Sequence, residues 1–179
     1  LALGLIALSL TFLGGYGGTV SLSQMTVAGI AGYTVAILGT SSHTVGGVSA
    51  VAKNVVPANP NSGIPVGSAA DAVLILGNTL GTNAAGTAAI SGQPIGIRVQ
   101  GTNCTIGSVT GTGRNLISGH AWDAISLEGT ATGCVVIANY VGLDAAGSAP
   151  LPNGSGVSVN GSANTVGGDT AGERNVISG

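Results

Sequence analysis

The side chains able to do acid–base chemistry are few. The acids are Asp71, Asp123, Glu128, Asp144, Asp169 and Glu173, and the bases are Lys53, Arg98, Arg114 and Arg174, with His43 and His120. Cleaving a polysaccharide needs paired carboxylates, or a carboxylate–metal site beside a basic proton acceptor. Asp123 and Glu128 flank the alternating run Ile125-Ser126-Leu127, and Arg98 lies outward on the matching run one repeat earlier. Arg98, Asp123 and Glu128 are therefore the candidate catalytic set. The competing reading is solvated loop charge, and the residue pattern favours it. Asp144 recurs as Asn83 in the other copy of its loop, and Asp169 falls near Val109 in its own. Charges that come and go between copies read as loop residues.

Other chemistries find less support. No Cys/His spacing suits zinc, and calcium repeats of the Gly-Gly-x-Gly-x-Asp type are absent. The stretch Gly14–Gly18 lacks the lysine and strand–helix setting of a phosphate loop. No metal and no cofactor is implied. Cys104 and Cys134 are 30 residues apart. That spacing stacks them one above the other, as a disulfide or as an unbridged pair of small apolar side chains. His43, Val73 and Asn164 hold the same position elsewhere, so cysteine is not required there.

The elements that position these residues follow from a repeat. Residues 103–119, NCTIGSVTGTGRNLISG, return as 163–179, ANTVGGDTAGERNVISG. Arg114 and Arg174 are 60 apart, as are Ile117 and Ile177. A more worn copy, HTVGGVSAVAKNVV, lies upstream, and GNTLGTNAAGTA at 77–88 returns as ANYVGLDAAGSA at 138–149. A period held this tightly marks a repeat architecture.

Each unit divides into turns of about 30 residues. Aliphatic pairs at i, i+2 occur at Val35/Ile37, Ile64/Val66, Ile97/Val99, Ile125/Leu127 and Val157/Val159, which places both members on one strand face. We call this strand a. Strand b is marked by Val45, Ile75, Ile106, Val136 and Val166. Strand c follows Asn54, Asn78, Asn115, Asn139 and Asn175. With no helical pattern between them, the prediction is an all-β, right-handed, single-stranded parallel β-helix, a solenoid with three short strands per coil and the strand-b residues in one vertical stack. Ala138-Asn139, and Gly77-Asn78 before it, make a short b–c corner, where asparagine is expected to supply left-handed backbone. In alternate coils a longer loop such as 168–173 replaces that corner.

Composition agrees. Glycine numbers 33 of 179 residues, aromatics are 3% and charged residues 6%. So little charge leaves no electrostatic footprint for nucleic acid. Residues 1–18 form an apolar segment, read either as the remnant of a signal peptide or as a cap on the first coil; residues 19–179 form the β-helix. The first 13 residues are too short for a confident membrane span. The chain reads as a piece of a longer repeat array.

The motifs N-x-V-G-G, R-N-V-I-S-G (174–179), N-Y-V-G-L-D-A-A-G (139–147) and L-P-N (151–153) resemble a bacterial family of right-handed parallel β-helix repeats. Such repeats occur in large secreted and cell-surface proteins. The resemblance covers about residues 34–179 and implies a pectate-lyase-like solenoid with asparagines lining the b–c corner. It implies no particular activity. The leading expectation is a non-catalytic structural or adhesive region of a secreted or surface-exposed bacterial protein, meeting a glycan, a cell surface or neighbouring chains end to end. The runner-up is a carbohydrate-active lyase or hydrolase using the strand-a groove. A minor alternative is ice binding, because Thr44, Thr105 and Thr165 alternate with Leu74 and Val135 on the outward side of strand b.

Overall fold

The computed structural model describes residues 43–178, and within them the chain winds through about four turns of a parallel β-solenoid. Fourteen short strands stack as three sheets. Strand b is represented by β1 (Thr44–Gly46), β4 (Leu74–Leu76), β7 (Thr105–Ile106), β10 (Val135–Val136) and β13 (Thr165–Val166). Strand c is β2 (Val55–Val56), β5 (Thr79–Leu80), β8 (Leu116–Ile117), β11 (Tyr140–Val141) and β14 (Val176–Ile177). Strand a is β3 (Ser62–Val66), β6 (Ile95–Val99), β9 (Asp123–Leu127) and β12 (Ser155–Val159). Val35/Ile37 and the apolar segment 1–18 lie outside the described residues. We number coils by their strand b, so β1 belongs to coil 1 and β13 to coil 5.

Every strand-to-strand pairing between sheet neighbours is parallel and in repeat register. Val45 pairs with Ile75, Ile75 with Ile106, Ile106 with Val136 and Val136 with Val166. These positions form the expected stack. Ile64, Ile97, Ile125 and Val157 stack likewise along strand a. A single coil has no second layer to cover its inward side chains, so its neighbours must do it. The result is one core in which Ile75, Ile97, Ile106, Ile117, Ile125 and Leu127 lose essentially all contact with water.

The b–c corner corrects one expectation. Asn78 and Asn139 do not adopt left-handed backbone; the residues before them do, Gly77 at φ 66° and Ala138 at φ 57°. The asparagine side chains are needed for something else. Asn139 Nδ2 donates to Ile106 O, a strand-b carbonyl one coil below, at 2.9 Å. Its Oδ1 accepts from Asn115 N and Nδ2 at 3.3 and 2.9 Å. The same exchange links Asn54, Asn78, Asn115, Asn139 and Asn175. An inward amide that satisfies otherwise orphaned corner groups outweighs asparagine's tolerance of positive φ. At Gly77 a Cβ would meet Gly47 O at 2.2 Å, so the longer loop of the coil below leaves room only for glycine.

Loop lengths alternate as expected. Coils 2 and 4 turn from b to c through two residues, 77–78 and 138–139, after Leu76 and Ile137. Coils 1 and 5 use longer loops, each with one 3-10 turn, Ala50–Ala52 and Ala171–Glu173. The excursions after strand c also repeat. Thr87 N donates to Asn83 Oδ1 at 2.9 Å in one, and Ser148 N to Asp144 Oδ1 at 2.8 Å in the next. The two excursions stack through Ala145 N to Gly86 O. Asn83 and Asp144 thus do the same job, which explains why the charge is dispensable.

Candidate functional site

The outward side of the strand-a sheet carries the candidate set. Parallel register aligns Pro65, Arg98, Ser126 and Ser158 in one row. Arg98 Nε donates to Glu128 Oε1 at 3.2 Å, the single ion pair among the described residues. Ser126 Oγ donates to the same oxygen at 3.2 Å. Both charged groups remain substantially open to water, so the pair is held loosely by screened attraction.

Asp123 stands apart. It does not merely flank strand a but begins it, opposite Ser155 in register. Five residues of extended chain separate it from Glu128, about 16 Å at Cα. Carboxyl pairs that cleave glycosidic bonds lie roughly 5–9.5 Å apart. The fold brings Arg98 to Glu128 and leaves Asp123 at the far end of the strand. Beside Asp123 stands Trp122, 64% exposed. It is the one tryptophan of the chain, and a large apolar ring held in water at a strand end is a contact waiting for a partner. Its signal was in the sequence, since a lone tryptophan in a chain with 3% aromatics stands out; its exposure was not.

Three other acids hold turns. Asp71 accepts from Thr102 Oγ1 at 2.7 Å and from Asn103 Nδ2 at 2.8 Å, and these bonds lower its pKa. Backbone N–H groups of Ala149 and Ser148 lower that of Asp144. Thr170 donates its backbone N–H and its hydroxyl to Glu173 Oε2, both at 2.8 Å, with the same effect. Hydrogen bonds to the ionised form favour it, so these groups stay charged at neutral pH and are poor proton donors. Arg114 is engaged as well, 4.1 Å above the Tyr140 ring.

A buried polar ladder occupies the connection from strand c to strand a. Gln93, His120 and Asn153 each come from a different coil. His120 Nδ1 lies 2.9 Å from Asn153 Oδ1, and Gln93 Nε2 lies 3.2 Å from His120 Nε2. Carbonyl oxygen accepts, so Nδ1 carries the proton and Nε2 receives one from the Gln93 amide. Burial pushes the His120 pKa down, against a raising contribution from Asn153. Gln93 Oε1 is buried without a partner. Asn153 also donates to Ile117 O at 3.1 Å, tying the ladder to strand c. These contacts orient the imidazole away from water and away from the strand-a face.

The outward hydroxyls of strand b form no regular array. Thr44, Leu74, Thr105, Val135 and Thr165 share one row. A second row, Asp71, Thr102, Thr132 and Ser162, bonds within itself: Thr102 to Asp71, and Thr132 Oγ1 to Ser162 O at 2.8 Å. Among the described residues no group of three His, Cys, Asp or Glu could hold a metal ion, and no helix is long and apolar enough to cross a membrane. Comparison with protein-family models, with curated proteins and with solved structures finds no match, so the solenoid itself is what stands established for this chain.

Proposed function

We propose that this chain is a structural or adhesive β-helix region, non-catalytic, of a secreted or surface-exposed bacterial protein. The observation that carries the reading is where its polar groups are used. Asp71, Asp144 and Glu173 hold turns, and the asparagines satisfy the inner corner. The chemistry available to the chain is spent on winding it. What remains for partners is the outer strand-a face, the loops and the last coil. That coil's strands β12, β13 and β14 are the outermost members of their sheets, with Val159, Val166 and Ile177 exposed. Such edges favour addition of further parallel strands, which supports stacking of neighbouring chains end to end.

A glycan is the other partner we assign. The exposed Trp122 ring beside the Ser126/Ser158 row favours sugar contact on the strand-a face, and the same observation favours the second reading, a carbohydrate-active enzyme. A polysaccharide-depolymerisation screen separates the two. We expect no cleavage by the wild type. Cleavage that is lost in Asp123→Ala or Glu128→Ala would overturn the structural reading.

A further inference from the structure

One pair of reactive side chains is unused by this reading. Cys104 and Cys134 sit side by side in the inward column Val73, Cys104, Cys134, Asn164, each one residue ahead of the in-register partners Thr105 and Val135. Both are fully buried and both thiols are free. In-register parallel neighbours lie about 4.8 Å apart at Cα, inside the roughly 4.4–6.8 Å range of disulfides. The side chains point into one corner. Cys104 Sγ lies 3.3 Å from Thr102 O, and Cys134 Sγ lies 3.6 Å from Gly101 O and 3.7 Å from Thr132 O. The column ends just beyond, where Asn164 Oδ1 accepts from Cys134 N at 2.9 Å and so fixes the backbone of the pair.

We propose that Cys104 and Cys134 form an inter-coil redox pair, closed to a disulfide by exchange with a low-molecular-weight disulfide such as oxidised glutathione. The Cys134 thiolate attacks one sulfur of the glutathione disulfide and expels one glutathione thiolate. The Cys104 thiol gives its proton to water, attacks the Cys134 sulfur of the mixed disulfide and expels the second glutathione. Two protein thiols and one glutathione disulfide become one protein disulfide and two glutathione thiols. The order of attack follows from the pair itself. A hydrogen bond from Cys104 brings Cys134 down to about 7, while the same contact, with burial, pushes Cys104 up.

The bridge would tie coil 3 to coil 4. Solenoid coils otherwise adhere only through neighbour interfaces, so a covalent link in the middle restrains separation of both halves. It also constrains the unfolded chain. Because both sulfurs are buried, exchange requires the coils to part.

The test uses the whole chain, refolded once in excess reductant and once with glutathione disulfide, then alkylated under denaturing conditions and weighed. The oxidised sample should take up no alkyl group and be lighter than the unalkylated reduced chain by two hydrogen atoms. Its unfolding midpoint should rise by roughly 5–12 °C over the reduced sample. The already folded chain should oxidise at least about tenfold more slowly than the refolding one. Cys134→Ala treated identically should show no midpoint difference. Two alkylatable thiols after oxidative refolding, separate glutathione adducts on each cysteine, or chains joined only to one another would overturn the proposal. So would a bridged monomer whose midpoint is equal or lower. If Cys134→Ala does not fold, the two wild-type samples still decide.

Discussion

Ile117 and Ile177 hold the same place in the repeat and have the same strand partner, Val141, yet Ile117 is fully buried and Ile177 is 50% exposed. The contrast extends across the coil. Val136 is 0% exposed and Val166 44%, and Leu127 is 0% exposed and Val159 46%. Residue class, strand and register match in each pair. What differs is the coil on the far side. Burial in a solenoid belongs to the interface between turns and not to the turn, so identical residues contribute differently according to their neighbours.

The sharpest way to break this comparison is to truncate both isoleucines. Ile117→Ala should destabilise the chain by about 3–4 kcal/mol, as deletion of a fully buried isoleucine does. Ile177→Ala should cost less than about 1 kcal/mol, because much of that side chain already meets water. Urea unfolding of the two variants measures the difference. Equal costs would mean that the last coil is covered in solution, as end-to-end stacking requires.

The asparagine ladder offers a second, smaller contrast. Asn139→Ala removes an acceptor from Asn115 and a donor to Ile106 O, leaving buried groups unpaired. We expect a loss of about 2–4 kcal/mol. Asn175→Ala sits in the open coil, where water can replace the lost partners, and should cost roughly half as much or less. The same denaturation experiment reports both. A larger loss at Asn175 would show that the outer coil governs the stability of the array.

Acid should separate the regions by pH. His120, in the inner coils, has its pKa lowered by burial. The unfolded chain therefore takes up the proton first as pH falls below about 6.5. Stability is full above that value and declines as pH falls toward the folded pKa. Asp71, Asp144 and Glu173 also have lowered values, from hydrogen bonds to their carboxylates. Their contribution is present above the unfolded carboxyl range and is lost only at lower pH, as each is protonated through its folded pKa. Urea midpoints measured from pH 8 to 3 should fall in two stages. His120→Asn should abolish the upper stage and spare the lower; a persistent upper stage would assign it to another group.

The smallest effect belongs to the Arg98–Glu128 pair. A double-mutant cycle on stability should return about 0–1 kcal/mol, as for other exposed pairs. A larger coupling energy would mean that this face is shielded from solvent by something in solution.

Strands, register and core columns were legible because the 30-residue turn is set by strand length and recurs unchanged. Once Val45, Ile75, Ile106, Val136 and Val166 are aligned, everything in phase with them follows. The asparagines were legible as corner residues but not in their role, since turn propensity and inward hydrogen bonding select the same residue. The Gln93–His120–Asn153 ladder was illegible. Its members come from connections of unequal length, 27 and 33 residues apart, so no fixed spacing announces them. Arg98 and Glu128 were grouped correctly because both are tied to strand a in register; Asp123 was grouped with them by closeness in sequence, which an extended strand converts into distance.

The sequence by itself determined the solenoid. Alternating aliphatics, a tight period and scarce charge admit few other ways to bury a core, and each turn repeats the same local decision. Only the tertiary structure decided what each copy experiences. Exposure of Trp122, burial of His120 and the opposite fates of Ile117 and Ile177 depend on which groups lie one coil above or below. Those neighbours stand some 30 residues away in the chain, and how closely they pack is set by loops whose lengths the period does not govern.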